Sequence, residues 1–243
     1  HGTPKAIEIA KKIFEAPNVE AGTHTYSHPL FWAYYDDPKA ALRELKEYGS
    51  GRSQSLLVRK EKEVKKIGGY ALPRAFLEKA FDLDNEIQGS VDFIKKLLPQ
   101  GKDLRLLQWS GDCEPFENAI RATRKAKLLN MNGGDSRFDE EYPSYSSVCP
   151  IGREIGKEQQ IYSGNSNENT YTNNWTERFF GFKYLKSTLQ NTEFPIRLKP
   201  INIYYHMYSG ENDAALNALL SNLSYAQKQE IIPIEASHYA EIA

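Results

Sequence analysis

Two histidines four residues apart, His24 and His28 in the run GTHTYSHP, are the first candidates for chemistry in this chain. On a helical turn that spacing sets two imidazoles on one face, about 5–6 Å apart at their Cβ atoms. Two neutral imidazoles so placed can hold one divalent metal. The spacing alone is common. Its position after the apolar run Val19–Ala21, with Gly22, Ser27 and Pro29 around it, favours a functional turn over an incidental pair. A third histidine, His206, closes the apolar run INIYYH, where a strand would deliver it to the C-terminal rim of an α/β sheet. The competing reading of His206 is a buried ring bonded to backbone, and His238 near the end of the chain reads as a surface residue or as one that supports a site without touching its ligand. Asp112 in WSGDC and Asp135 in NGGDS also follow strand-like stretches, although Gly-Asp is ordinary turn chemistry as well. In the run NENTYTNNWT, Asn169, Tyr171, Asn174 and Trp175 either offer hydrogen bonds and stacking faces suited to sugar rings or form an ordered polar loop.

The elements that must position these residues alternate. Helical spacing covers Pro4–Glu15, Pro38–Tyr48, Pro115–Lys127, Thr176–Gln190 and Asn212–Gln229. Strand-like runs are Val19–Ala21, Leu104–Trp109, Leu128–Asn132, Gln160–Ser163, Pro200–His206 and Ile231–Ile234. Between them, Ser50–Gly69 is a charged excursion, and Arg137–Thr176 is mostly loop. Strands separated by helices predict an α/β fold with a parallel sheet or barrel, organised as a single domain over residues 1–243.

Composition narrows the classes. Across 243 residues, 31 Lys+Arg stand against 32 Asp+Glu, so no basic field points to nucleic acid or an anionic membrane. No apolar run approaches the roughly 20 residues that span a bilayer, so no membrane span is expected. Two cysteines are too few for a disulfide scaffold or a thiolate cluster. The chain opens on His1 rather than Met, with no signal-peptide pattern, and is expected to be a processed or cut-out piece.

The motifs together resemble a family. HTYSHP resembles the second motif of the NodB-type polysaccharide deacetylases, carbohydrate esterase family 4, and LKPINIYYHMYS resembles the motif that carries that family's general acid. Five blocks in order are similar to the deacetylase domain of PelA-type proteins of Gram-negative Pel polysaccharide export systems. They are NVEAGTHTYSHPLFW, LQWSGDC, LLNMNGGDS, NENTYTNNWT and LKPINIYYHMYS, and the resemblance extends from about Pro4 onward. It implies a distorted (β/α) barrel of the polysaccharide deacetylase type, lacking its first strand in this chain. It further implies a divalent metal, Zn with Co or Ni as alternatives, on His24 and His28. His206 and Asp135 become catalytic residues, and Asp112, Tyr171, Asn174 and Trp175 substrate contacts. The implied substrate is an N-acetylated hexosamine polysaccharide in the periplasm, with other export components as partners. In that compartment Cys113 and Cys149 could pair.

One departure stands out. The family keeps a metal-binding aspartate and a base aspartate upstream of the histidine pair, whereas the only acids here before His24 are Glu8, Glu15 and Glu20. Asp36 and Asp37 follow the pair and read as a loop and helix start. The expectation is therefore that the chain as given binds metal weakly and deacetylates poorly. The alternative is a catalytically inactive carbohydrate-binding or export-scaffold module of the same fold. A glycosidase is the weakest option, because it needs two carboxylates facing one bond.

Overall fold

The computed structural model describes residues 3–48, 52–53, 72–172 and 177–243. Contacts divide the chain into two units, one of residues 1–132, 154–160 and 234–243, the other of residues 133–153 and 161–233.

In the first unit, Thr3 opens helix α1 (Pro4–Glu15). Its hydroxyl accepts the Ala6 N–H at 3.2 Å, and Pro4 occupies a first-turn position where no amide proton is needed. Strand β1 is Ala21–Thr23, two residues later than the sequence pattern suggests. The Lys102 ammonium accounts for the shift: it binds the carbonyls of Ala16 and Val19 at 2.5 and 2.7 Å, so the chain joins the ladder only after Val19. Helix α2 (Ala40–Tyr48) follows, then β2 (Arg52–Ser53) and β3 (Phe76–Leu77), paired antiparallel. Apart from β2, the charged excursion Ser50–Gly69 lies outside the described residues. A π-helical turn, Asn85–Gly89, runs directly into α3 (Ser90–Lys95), a helix the sequence reading did not anticipate.

Strand β4 (Leu104–Gln108), helix α4 (Glu117–Lys125) and strand β5 (Leu129–Met131) match expectation to within two residues at each end. Next come β6 (Gly152–Ile155) and β7 (Glu158–Ile161), joined by the two-residue turn Gly156-Lys157, which forces an antiparallel hairpin. The strand expected over Gln160–Ser163 is thus the second arm of a hairpin and stops at Ile161. The sheet order is β1-β4-β5-β7-β6, with β1, β4 and β5 parallel. This is an α/β fold built on a mixed five-stranded sheet. Its core joins Trp32, Ile87, Val91, Leu107, Trp109 and Ile120, with the two indoles edge-to-face at 5.0 Å.

The second unit contains α5 (Glu168–Tyr171), a 3-10 segment Phe179–Tyr184, α6 (Leu185–Asn191) and α7 (Asp213–Gln227) around Tyr171, Phe182, Leu185, Leu189, Ala218 and Leu219. Asn212 caps α7 by accepting the Ala214 and Ala215 N–H groups at 2.9 and 3.3 Å. Two expected strands are not strands. Along Pro200–His206 the period-2 pattern is real, since Ile201, Ile203 and Tyr205 pack on the helical core. Its backbone groups, however, are taken by side chains: Asn165 Nδ2 binds Pro200 O at 2.9 Å, and Glu168 accepts the His206 N–H at 2.7 Å. Ile231–Ile234 lacks a buried face, with Ile232 88% exposed, and Pro233 removes a ladder donor. The last helix, α8 (Ala236–Ile242), returns to the first unit and packs on β4 and β5. No helix among the described residues is long and apolar enough to cross a membrane.

Candidate functional site

Strand β1 delivers His24 directly, and the following residues make a bent loop rather than the helical turn expected for His24 and His28. The two rings nevertheless meet, with centroids 5.0 Å apart and planes at 72°. Left-handed backbone achieves this without a helix: φ is 67° at Thr25 and 55° at His28. Non-glycine residues held in this region cost on the order of 1–3 kcal/mol each, and such residues gather at functional sites. His24 Nδ1 lies 2.9 Å from the carbonyl oxygen of Gln108 at the end of β4. A carbonyl can only accept, so Nδ1 carries a proton, and in the neutral ring the lone pair is on Nε2. Orientation of an imidazole by a backbone carbonyl is the usual support of a metal-binding histidine.

Because β1, β4 and β5 are parallel, their C-terminal ends share one edge of the sheet, and the loops there are bound to one another. Ser110 Oγ donates to Pro29 O at 2.7 Å, and Trp32 Nε1 donates to Ser110 O at 3.0 Å. Gln160, fully buried, donates through Nε2 to both Cys113 O and Asn132 O at 2.7 Å. Gly111 has φ +63°, and a Cβ there would come within 2.4 Å of Leu30 Cα, so only glycine lets the β4 loop lie against the histidine loop. Asp112, expected to touch substrate, braces this junction. Its carboxylate accepts the Trp32 N–H at 3.3–3.4 Å and the Glu114 N–H at 3.1 Å.

Behind the pair lies a buried charged group that sequence reasoning missed. Glu86, 1% exposed, accepts the N–H groups of Tyr26 and Ser27 at 3.0 and 2.8 Å and the Ser27 hydroxyl. Burial raises its carboxyl pKa, while the Ser27 bonds and the Arg74 charge act the other way. Arg74 is itself held by Glu44 through Nε and Nη2, at 2.8 and 2.6 Å. No periodicity or motif marks these residues, and Glu86 lies 59 and 60 positions from the Ser27 and Tyr26 amides it binds. Beside His24, a cavity of about 380 Å³ is lined mainly by apolar side chains of α1 and α3, among them Ile7, Phe14, Phe93 and Ile94.

In the second unit His206 precedes a 3-10 turn, Met207–Glu211, rather than ending a strand. Its Nδ1 is 3.0 Å from Glu168 Oε1, which also accepts the His206 N–H and, at 3.2 Å, the Ser209 hydroxyl. The Glu168 side chain is 6% exposed and that of His206 is 30% exposed. Tyr208 stacks on the imidazole with ring centroids 4.9 Å apart, and burial followed by the Glu168 charge pushes its phenol pKa strongly upward. Glu168 was also missed, although it is the only carboxylate in the NENTYTNNWT run.

The remaining expected residues behave differently. Asp135 is exposed, yet desolvation by surrounding protein raises its carboxyl pKa, against a lowering hydrogen bond from Thr170 Oγ1 at 3.3 Å. Tyr171 offers no stacking face. It is 2% exposed in the core, its hydroxyl is 2.9 Å from Thr188 Oγ1, and Arg137 lies over its ring at 4.6 Å. The aromatic read as a sugar platform lies on the inward face of α5. Asn174 and Trp175 lie outside the described residues.

Among the described residues no disulfide forms, and both thiols donate to carbonyls: Cys113 to Trp109 O at 3.3 Å and Cys149 to Asp135 O at 3.2 Å. Nor do the described residues contain a group of three or more His, Cys, Asp or Glu side chains arranged to hold a metal. The chain matches no family model, no curated protein and no solved structure.

Proposed function

We propose that this protein is a polysaccharide N-deacetylase of the NodB type, acting on a hexosamine-containing, Pel-like exopolysaccharide outside the cytoplasm, with its sheet part of a distorted (β/α) barrel. The reaction adds water across an acetamide: the C–N bond breaks, acetate leaves, and the sugar nitrogen departs as an amine after gaining a proton. One observation carries the reading. His24 is oriented by a carbonyl on Nδ1, which in the neutral ring makes Nε2 the donor atom, and meets the His28 ring at 5.0 Å.

A divalent metal, Zn or in its place Co or Ni, fits these two nitrogen donors in part, and when bound it would supply Lewis acidity toward the acetyl carbonyl and water. His24 and His28 would hold it; among the described residues no third His, Cys, Asp or Glu joins them in a group that could hold a metal. His206 is the proton donor to the leaving nitrogen. Its Nδ1 engages Glu168, which sets the ring's orientation and supplies the anion that an imidazolium would pair with. Asp135, whose desolvated carboxyl holds a proton more tightly than usual, is the second acid–base candidate.

The test is acetate and free-amine release from N-acetylhexosamine oligomers by the full-length protein, with and without chelator, followed by metal add-back. Release that chelator abolishes and metal restores is the expected result. Binding of the oligomers without release would overturn the enzyme reading in favour of a carbohydrate-binding module.

A further inference from the structure

We propose that Glu86 is a positioning residue for the His24–His28 pair, holding the loop between them in the one conformation that brings the two imidazoles together; this rests on reading the pair as metal ligands. The two residues that Glu86 binds, Tyr26 and Ser27, lie inside the span from His24 to His28. Their consecutive N–H groups point at a single carboxylate oxygen, Oε2, at 3.0 and 2.8 Å, while Oε1 takes the Ser27 hydroxyl. Flanking left-handed residues, Thr25 and His28, turn those two N–H groups inward. A loop with both its strained residues and its donors fixed on one buried anion has few alternative shapes.

The supporting element explains why the fit is accurate. Glu86 and Ser90 are four residues apart, on the π-helical turn and the start of α3, and each holds one part of the same loop. Thr23 Oγ1 donates to Ser90 Oγ at 2.7 Å where β1 ends, and Glu86 takes over two residues beyond His24. On the other side, backbone bonds hold the outgoing chain: Phe76 N to Ser27 O at 3.1 Å and Ala75 N to His28 O at 3.0 Å. Arg74 lies in this second segment. Its Nη1 is 4.0 Å from Glu86 Oε1, and it is locked in place by Glu44. The loop is therefore held from both sides, and Glu86 and Arg74 share one buried charge network with Glu44. Glu86 is not itself a ligand, because its oxygens are already engaged by the loop.

The experiment compares Glu86→Ala and Glu86→Gln with the unaltered protein by two readouts. The first, on metal-free protein, is the contact between the His24 and His28 rings, together with the Nδ1-protonated tautomer of His24, seen by NMR of the imidazoles. The second is Co(II) affinity from its visible absorption. Glu86→Ala leaves two N–H groups unsatisfied and is expected to lose the ring contact and about 10–100-fold in Co(II) affinity. Glu86→Gln keeps a carbonyl acceptor for the N–H pair and is expected to recover most of both. If Glu86→Ala does not fold, Ser27→Ala, which removes the hydroxyl bond alone, is expected to weaken Co(II) binding in the same direction by a smaller factor.

Unchanged ring contact and affinity in the folded variant would overturn the proposal. So would equal losses in Glu86→Gln, Glu86→Ala and a Val91→Ala control of matched stability, since Glu86 would then be a generic core residue. If the unaltered protein binds no Co(II) but Glu86→Ala still loses the ring contact, the ligand reading fails and the positioning role stands.

Discussion

His24 and His206 each hold Nδ1 against an oxygen at about the same distance, 2.9 and 3.0 Å, but the oxygens differ in kind. The partner of His24 is a backbone carbonyl at the end of a parallel strand, which fixes one tautomer and offers no charge. The partner of His206 is a buried carboxylate, which orients the ring and can also pair with its protonated form. The two imidazoles are thus held differently, one by a neutral carbonyl in the first unit and the other by a carboxylate in the second. The supports differ as well. His24 hangs from a sheet edge whose loops are tied together by Ser110, Gln160 and Gly111, whereas His206 hangs from an irregular segment held by Glu168 and Asn165.

The strongest way to break this contrast is His206→Ala. If His206 delivers the proton, turnover in the full-length protein falls by about 10²–10⁴-fold while zinc affinity is unchanged, measured by acetate release against added metal. Rescue by excess metal would make His206 a ligand and erase the contrast. Glu168→Gln sharpens it, because it gives His206 a neutral oxygen of the kind His24 already has. Turnover is then expected to fall by about 10–100-fold, the worth of one charge-assisted hydrogen bond, with both Nδ1 and backbone contacts retained. An unchanged rate would show that the charge of Glu168 does nothing for His206.

Gly111→Ala probes the other support. A Cβ would strike Leu30 Cα and Pro29 O, both at 2.4 Å, and the residue would keep a left-handed φ of 63°. A loss of about 1–3 kcal/mol in urea unfolding is expected, together with weaker metal binding, because the strain falls on the loop that follows His28. Full stability would mean that the two loops are not locked together.

The smallest effect is electrostatic. Desolvation raises the Asp135 pKa in the folded protein, so its ionised form is penalised there, and stability falls as pH rises from the ordinary carboxylate range through the raised value. Asp135→Asn removes that penalty. The variant is expected to gain on the unaltered protein near about pH 7 and to lose the advantage near about pH 3, below the usual aspartate range. A difference that grows toward low pH would reverse the sign and refute the desolvated state.

Much of the scaffold was legible because it depends on local chemistry. Helix α1 spans Pro4–Glu15 as its Thr3 cap and Pro4 dictate, and β4 and α4 follow from an apolar run and a strongly amphipathic one. The pairing of His24 with His28 was legible from spacing, but for the wrong local reason: the rings meet through two left-handed residues, which no spacing rule encodes. Pro200–His206 has a strand's alternation but no ladder, because whether an extended segment becomes a strand depends on a partner distant in sequence. Glu86 and Glu168 were invisible for the same reason. A lone glutamate among polar residues carries no mark of the backbone N–H groups or imidazole it will meet after folding. Tyr171 shows the converse, since an aromatic in a polar run read as a binding face and became core.

The most direct test of the central claim is titration of zinc or cobalt into the metal-free protein and its His24→Ala, His28→Ala and His206→Ala variants by calorimetry. Measurable binding by the unaltered protein, strong loss in the first two variants and unchanged affinity in the third are expected. Equal loss in all three, or binding indifferent to His24 and His28, would contradict it.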